Sequence, residues 1–93
     1  MPDSKTIGKR IKELRESKKI SQEKLGELVG VSPSTIGMYE IGKRIPRDEL
    51  KIKISNVLGK SVNYIFFKEW SHNMWHFIER RMHYGKQKLL RIA

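Results

Sequence analysis

Cysteine is absent from this 93-residue chain. A disulfide framework and a thiolate metal site are therefore both excluded, in keeping with a reducing cytosol. Acidic residues are scarce too, 10 against 20 Lys plus Arg, for a net charge of +10. That balance favours a polyanionic partner over a merely soluble basic surface. No apolar run approaches membrane-spanning length, and the opening MPDSKTIGKRIKEL lacks the apolar stretch of a secretion signal. A soluble, cytoplasmic protein is expected. There is no strand-like alternation and no internal repeat. No Ser/His/Asp set, no P-loop and no pair of carboxylates in an apolar setting occurs either. Neither an enzyme nor any catalytic residue or cofactor is expected. The length allows one domain with a small core.

What is present is a series of short amphipathic helices with clear punctuation. Residues 1–5 read as a loose N-terminal arm. Ile7, Ile11 and Leu14 recur at helical spacing, which predicts a first helix over about 6–18. Ser21 caps a second helix, with Glu23 in its first turn, running to about Val29. Ser32 caps a third, where Pro33 at the first helical position lacks only an N–H that would be unpaired anyway. That helix spans about Pro33 to Glu40. Pro46 leads into a fourth over about 47–58, with Leu50, Ile54, Val57 and Leu58 inward and Gly59 at its end. Ser61 caps a short fifth carrying Val62, Ile65 and Phe66. The predicted core is Ile11, Leu14, Leu25, Val29, Ile36, Tyr39, Leu50, Ile54 and Leu58. In QEKLGELVGVSPSTIGMYEI, Gly26 has no Cβ to obstruct a close crossing, and Gly30 can take the positive φ of a sharp turn.

This last stretch resembles the helix-turn-helix of the phage repressor/Cro family, also called XRE-like. The resemblance runs from about Ile7 to Phe67. It includes IGKRIKELRESKKI, the Ser21-Gln22 start, VSPSTIGMYE, the Tyr39 to Pro46 link and LGKSVNYIF. It implies an all-α, five-helix lambda-repressor-like domain over 6–67; residues 68–93 lie outside the resemblance and are read from their own pattern as an added C-terminal amphipathic helix and basic tail. It further implies a sequence-specific DNA-binding transcriptional regulator, a homodimeric repressor reading double-stranded DNA at an inverted repeat. The exposed early residues of the third helix would then reach base edges: Ser32, Pro33, Ser34, Thr35, Gly37 and Met38. This set holds no Arg, Asn or Gln, so bidentate readout from this helix is missing. Ser34 can make single hydrogen bonds, Met38 can meet a thymine methyl, and Gly37 leaves a gap where a longer side chain is common. Gln22 matches a glutamine that bonds a phosphate and braces the reading helix. Lys43, Arg44 and Arg47 lie where the DNA backbone would pass. Arg15 and Glu40 match a structural ion pair between the first and third helices.

From Lys68 the texture changes to KEWSHNMWHFIERRMHYGKQKLLRIA. As a helix, this segment would present Trp70, Met74, Trp75, Phe77, Ile78 and Met82 as an apolar dimer or partner face, interrupted by Arg81. Dimerisation, fold-back onto the domain and disorder in isolation all remain open for it. An antitoxin-like regulator whose tail captures a protein partner is the competing functional reading. His72, His76, Glu79 and His83 would form a polar stripe. Asn73 takes the place of the glutamate in a zinc-protease motif, and plain surface histidines are the expectation, so no metal is assigned.

Overall fold

Small polar side chains start the helices. The computed structural model describes residues 1–69. Within it, helix α1 (Ser4–Ser17) begins where the Asp3 carboxylate accepts the Thr6 N–H at 2.8 Å. Helix α2 (Gln22–Val29) begins where Ser21 Oγ accepts the Lys24 N–H at 2.9 Å. Helix α3 (Pro33–Glu40) begins where Ser32 Oγ accepts the Thr35 N–H at 3.1 Å. Each cap satisfies a donor that has no partner inside its helix. Helix α4 (Asp48–Leu58) lacks a side-chain cap bond but carries Asp48 and Glu49 in its first turn, where carboxylates oppose the positive end of the helix dipole.

Two boundaries differ from the sequence expectations. Asp3 is itself a cap, so α1 starts at Ser4, and Pro2 is buried. The expected five-residue arm is thus mostly built into the domain. The fifth helix is a π-helical turn, Asn63–Phe67, with the Lys68 N–H reaching back to the Asn63 carbonyl at 2.8 Å. Ser61 Oγ still accepts the Tyr64 N–H at 3.0 Å. No strand occurs among the described residues.

The core joins all five elements: Ile7, Ile11, Leu25, Val29, Ile36, Tyr39, Leu50, Ile54, Leu58, Ile65 and Phe66. Every predicted core residue is buried except Leu14, which is half-buried and packs against the rest. Each fully buried aliphatic or aromatic side chain contributes roughly 1.5–3 kcal/mol relative to exposure.

Close approaches of backbone set the turn after α2 and the crossing of α3 over α1. A Cβ on Gly26 would lie 2.5 Å from the Val31 carbonyl oxygen, and one on Gly8 would lie 2.3 Å from that of Tyr39. Only hydrogen fits at either place. Gly30 turns the chain between α2 and α3 at φ +84°, a conformation that side chains with a Cβ adopt at a cost. Its N–H and that of Val31 both bond the Gly26 carbonyl, at 2.7 and 2.9 Å.

The proposed dimer or partner face at Trp70, Met74, Trp75, Phe77, Ile78 and Met82 lies outside the described residues. So does the stripe of His72, His76, Glu79 and His83.

Candidate nucleic-acid interface

Burying Ile36, Tyr39 and Glu40 against α1 and α2 turns the opposite side of α3 outward. Pro33, Ser34 and Met38 are exposed there. Ser32 also lies at the surface, but its hydroxyl is occupied twice. It caps the helix, and it sits 2.9 Å from the Thr35 hydroxyl. Ser32 and Thr35 therefore spend their hydroxyl groups on the helix start, and Thr35 is half-buried. Of the six expected base readers, Ser34 and Met38 have both exposure and an unoccupied functional surface facing out of α3.

Behind α3 lies an ionic network. Arg15 grips Glu40 bidentately, with Nε 2.6 Å from Oε2 and Nη2 3.1 Å from Oε1. The third arm of the guanidinium, Nη1, donates to the Ile20 carbonyl at 2.8 Å. Only 11% of the Arg15 side chain and 2% of the Glu40 side chain is exposed. The hydrogen bond to Glu40 raises the Arg15 pKa, against the opposing effect of burial. The network continues to the surface, because Gln22 Nε2 donates to Glu40 Oε1 at 3.0 Å. One carboxylate thus ties together α1, α2 and α3.

The chain leaves α3 through a basic loop. The Lys43 N–H returns to the Met38 carbonyl at 2.9 Å, and the Arg44 N–H to the same oxygen at 3.3 Å. This closes the loop against the end of α3 and holds both exposed cations beside Met38. Arg47 follows as the N-terminal flanking residue of α4. Arg44 and Arg47 line a shallow depression of about 330 Å³ whose floor includes Thr35 and Tyr39. The expected backbone-contacting cations therefore share one side of the domain with α3.

Sequence reasoning passed over Arg10, which is 5% exposed. Its Nη1 donates to the Tyr64 and Ile65 carbonyls, both at 3.2 Å, and fastens the π-helical turn to α1. Burial pushes the Arg10 pKa down from its ordinary value. The signal was its position, three residues after Ile7 and four before Leu14, on the apolar side of α1. Lys51 was passed over as well. It is 9% exposed and lies 3.3 Å from the Asp48 carboxylate. Its ammonium also sits 5.4 Å from the centre of the Phe67 ring.

A helix-turn-helix family model matches residues 11–65. The chain belongs to the helix-turn-helix family. The all-helical arrangement of the described residues is that of phage-repressor domains, and the family is one of regulators rather than enzymes. Among curated relatives, the SPbeta prophage-derived uncharacterized HTH-type transcriptional regulator YonR of Bacillus subtilis is 38% identical over 59 residues. The match covers 63% of this chain and 55% of YonR, so the chain spans about half the length of that relative. The uncharacterized HTH-type transcriptional regulator YgzD of Bacillus subtilis is 38% identical over 60 residues, 64% of this chain and 91% of YgzD. Among solved structures, the P22 c2 repressor in complex with synthetic operator 9T is similar, with a TM-score of 0.64 and 34% identity. That likeness covers 66% of this chain and 92% of the repressor chain. In this helix-turn-helix domain α2 and α3 are the two named helices, and Gly30 is the turn between them.

Proposed function

We propose that the protein is a sequence-specific DNA-binding transcriptional regulator of the cytoplasm, a homodimeric repressor that reads an inverted-repeat operator through α3. The observation that carries this reading is the outward face of α3. It is anchored from behind by the buried Arg15–Glu40 pair and flanked by the exposed Lys43 and Arg44. A helix held rigidly from one side and open on the other suits insertion into a major groove. Cations at its C-terminal end suit the phosphates beside that groove.

Division of labour follows from chemistry. Ser34 and Met38 take base edges, one by a single hydrogen bond and one by apolar contact. Lys43, Arg44 and Arg47 take phosphates. Weak direct readout leaves a share of specificity to DNA shape. One such module covers half of an operator, so a two-fold dimer with half-sites about one helical turn, roughly 34–36 Å, apart supplies the remaining affinity. The P22 c2 repressor, a structural relative, was solved on an operator duplex, which supports this reading. The apolar residues Trp70, Met74, Trp75, Phe77, Ile78 and Met82 are assigned to the dimer contact.

The test is selection of the full chain from a random duplex library at two salt concentrations. An enriched inverted repeat supports the proposal. Salt-sensitive binding with no enriched sequence overturns it and points to a protein partner for the tail. Sedimentation of the Phe77→Asp variant, expected to be monomeric where the parent is dimeric, tests the assignment of the dimer contact.

A further inference from the structure

Position 37 of α3 carries no side chain, yet the space over it is not vacant. An ideal Cβ on Gly37 would lie 3.7 Å from Gln22 Nε2 and 3.9 Å from Gln22 Oε1. The carboxamide of Gln22, reaching from the first position of α2, would be in ordinary van der Waals contact with that Cβ, in the space that a longer side chain at 37 would compete for. On the helix Gly37 is half-buried and lies one turn after Pro33 and Ser34 and one turn before the buried Glu40, at the edge of the outward face.

The carboxamide is also held in one orientation. Glu40 offers only acceptor oxygens to it, so the nitrogen must be the end that faces Oε1 at 3.0 Å. Arg15, clamped on the same carboxylate, keeps that acceptor from moving. One N–H of Gln22 is used in this bond. The amide retains its second N–H and its carbonyl oxygen, an adjacent donor and acceptor. That pair matches the N7 acceptor and N6 donor of adenine. A phosphate, which only accepts, would leave the carbonyl oxygen without a role.

We infer that Gln22 is a specificity-determining residue. Its carboxamide, laid across Gly37 and oriented by Glu40, supplies from α2 the bidentate adenine readout that α3 itself lacks. This inference rests on the DNA-reading function proposed above. It reassigns Gln22 from a phosphate contact to a base contact, and it gives Gly37 a purpose: no long side chain there competes with the amide for its place.

The experiment selects operators from a random duplex library with the full-length parent, Gln22→Ala and Gly37→Leu. Thermal melting verifies that each variant is folded. Gln22→Ala removes one bond to Glu40 but leaves both Arg15–Glu40 bonds in place, and a Cβ at 37 meets only ordinary contact distances. The parent is expected to prefer adenine at one position per half-site. In Gln22→Ala that preference should fall on the order of 10-fold or more, while the other positions and the binding to random DNA stay as they were. Gly37→Leu, which displaces the amide but keeps Gln22, should lose preference at the same position. Uniform weakening on every sequence with an unchanged motif overturns the inference in favour of a phosphate contact. A parent that enriches no sequence overturns the DNA-reading function and this inference with it.

Discussion

Glu40 receives Arg15 from α1 and Gln22 from α2 on a single carboxylate, at 2.6 and 3.1 Å from the arginine and 3.0 Å from the amide. The last residue of α3 is thereby fastened to both neighbouring helices by charge-assisted bonds. Removing Arg15 would leave a carboxylate that is 2% exposed without a countercharge, bonded only to the Gln22 amide. Arg15→Ala is expected to cost on the order of 3–5 kcal/mol, read as a lower denaturation midpoint with an unchanged slope. Arg15→Ala combined with Glu40→Ala should cost less than the sum of the two single changes. Additive losses would mean that the pair is not coupled.

The crossing of α1 and α3 gives a steric prediction. A Cβ on Gly8 would come within 2.3 Å of the Tyr39 carbonyl oxygen and 2.4 Å of that of Glu40. Backbone cannot yield as a flexible side chain does. Gly8→Ala should destabilise by about 3 kcal/mol, the upper range for overpacking, although alanine is the better helix former. A variant as stable as the parent in urea denaturation would contradict the close approach.

Much of this architecture was legible because it is local. Ser21, Ser32 and Gly30 announce their roles within three or four residues of sequence, and each is where it was expected. Asp3 carries the same kind of signal, but the apolar spacing of α1 starts only at Ile7, so periodicity does not extend the helix back to it. The partners of Arg10 were not legible. Its side chain meets carbonyls 54 and 55 residues away, and no local pattern encodes a contact that only the folded core creates. The relation of Gln22 to Gly37 is of the same kind. Composition reveals the gap at 37, whereas only the packing of α2 on α3 reveals what lies over it.

The Asp3 cap has a pH signature. Hydrogen bonds from the Thr6 hydroxyl and then the Thr6 N–H hold its carboxyl below the usual aspartate value. A lowered folded-state pKa means that the contribution is complete above the ordinary value of about 3.9 and is lost as pH falls through the lower one. Asn can cap but cannot titrate. Stability of the parent should therefore decline more steeply through the carboxylate range than that of Asp3→Asn. Parallel curves from urea denaturation would remove Asp3 from the pH response.

For the basic loop, Lys43→Ala with Arg44→Ala should weaken binding to every duplex alike. If each cation neutralises one phosphate, the slope of log affinity on log salt should fall by about 0.9 per residue removed. Fluorescence anisotropy on one duplex across a salt series measures this. A slope equal to that of the parent takes the loop out of the interface.

Met38 makes the opposite prediction. It is 38% exposed on the outward face of α3 and carries no charge. Met38→Ala should change the ranking among operator variants, chiefly at thymine positions, while affinity for random DNA stays near that of the parent. Equal losses on all sequences would assign Met38 to packing instead.

The central claim is that α3 and the loop after it form the DNA-facing surface. The most direct test is amide chemical-shift mapping of the full chain during titration with an operator duplex obtained by selection. The account predicts the largest shifts at Gln22, Ser34, Gly37, Met38, Lys43 and Arg44, with the far side of α1 around Lys9 and Lys12 little changed. Shifts concentrated away from α3, with Ser34 and Met38 unmoved at saturation, would contradict it.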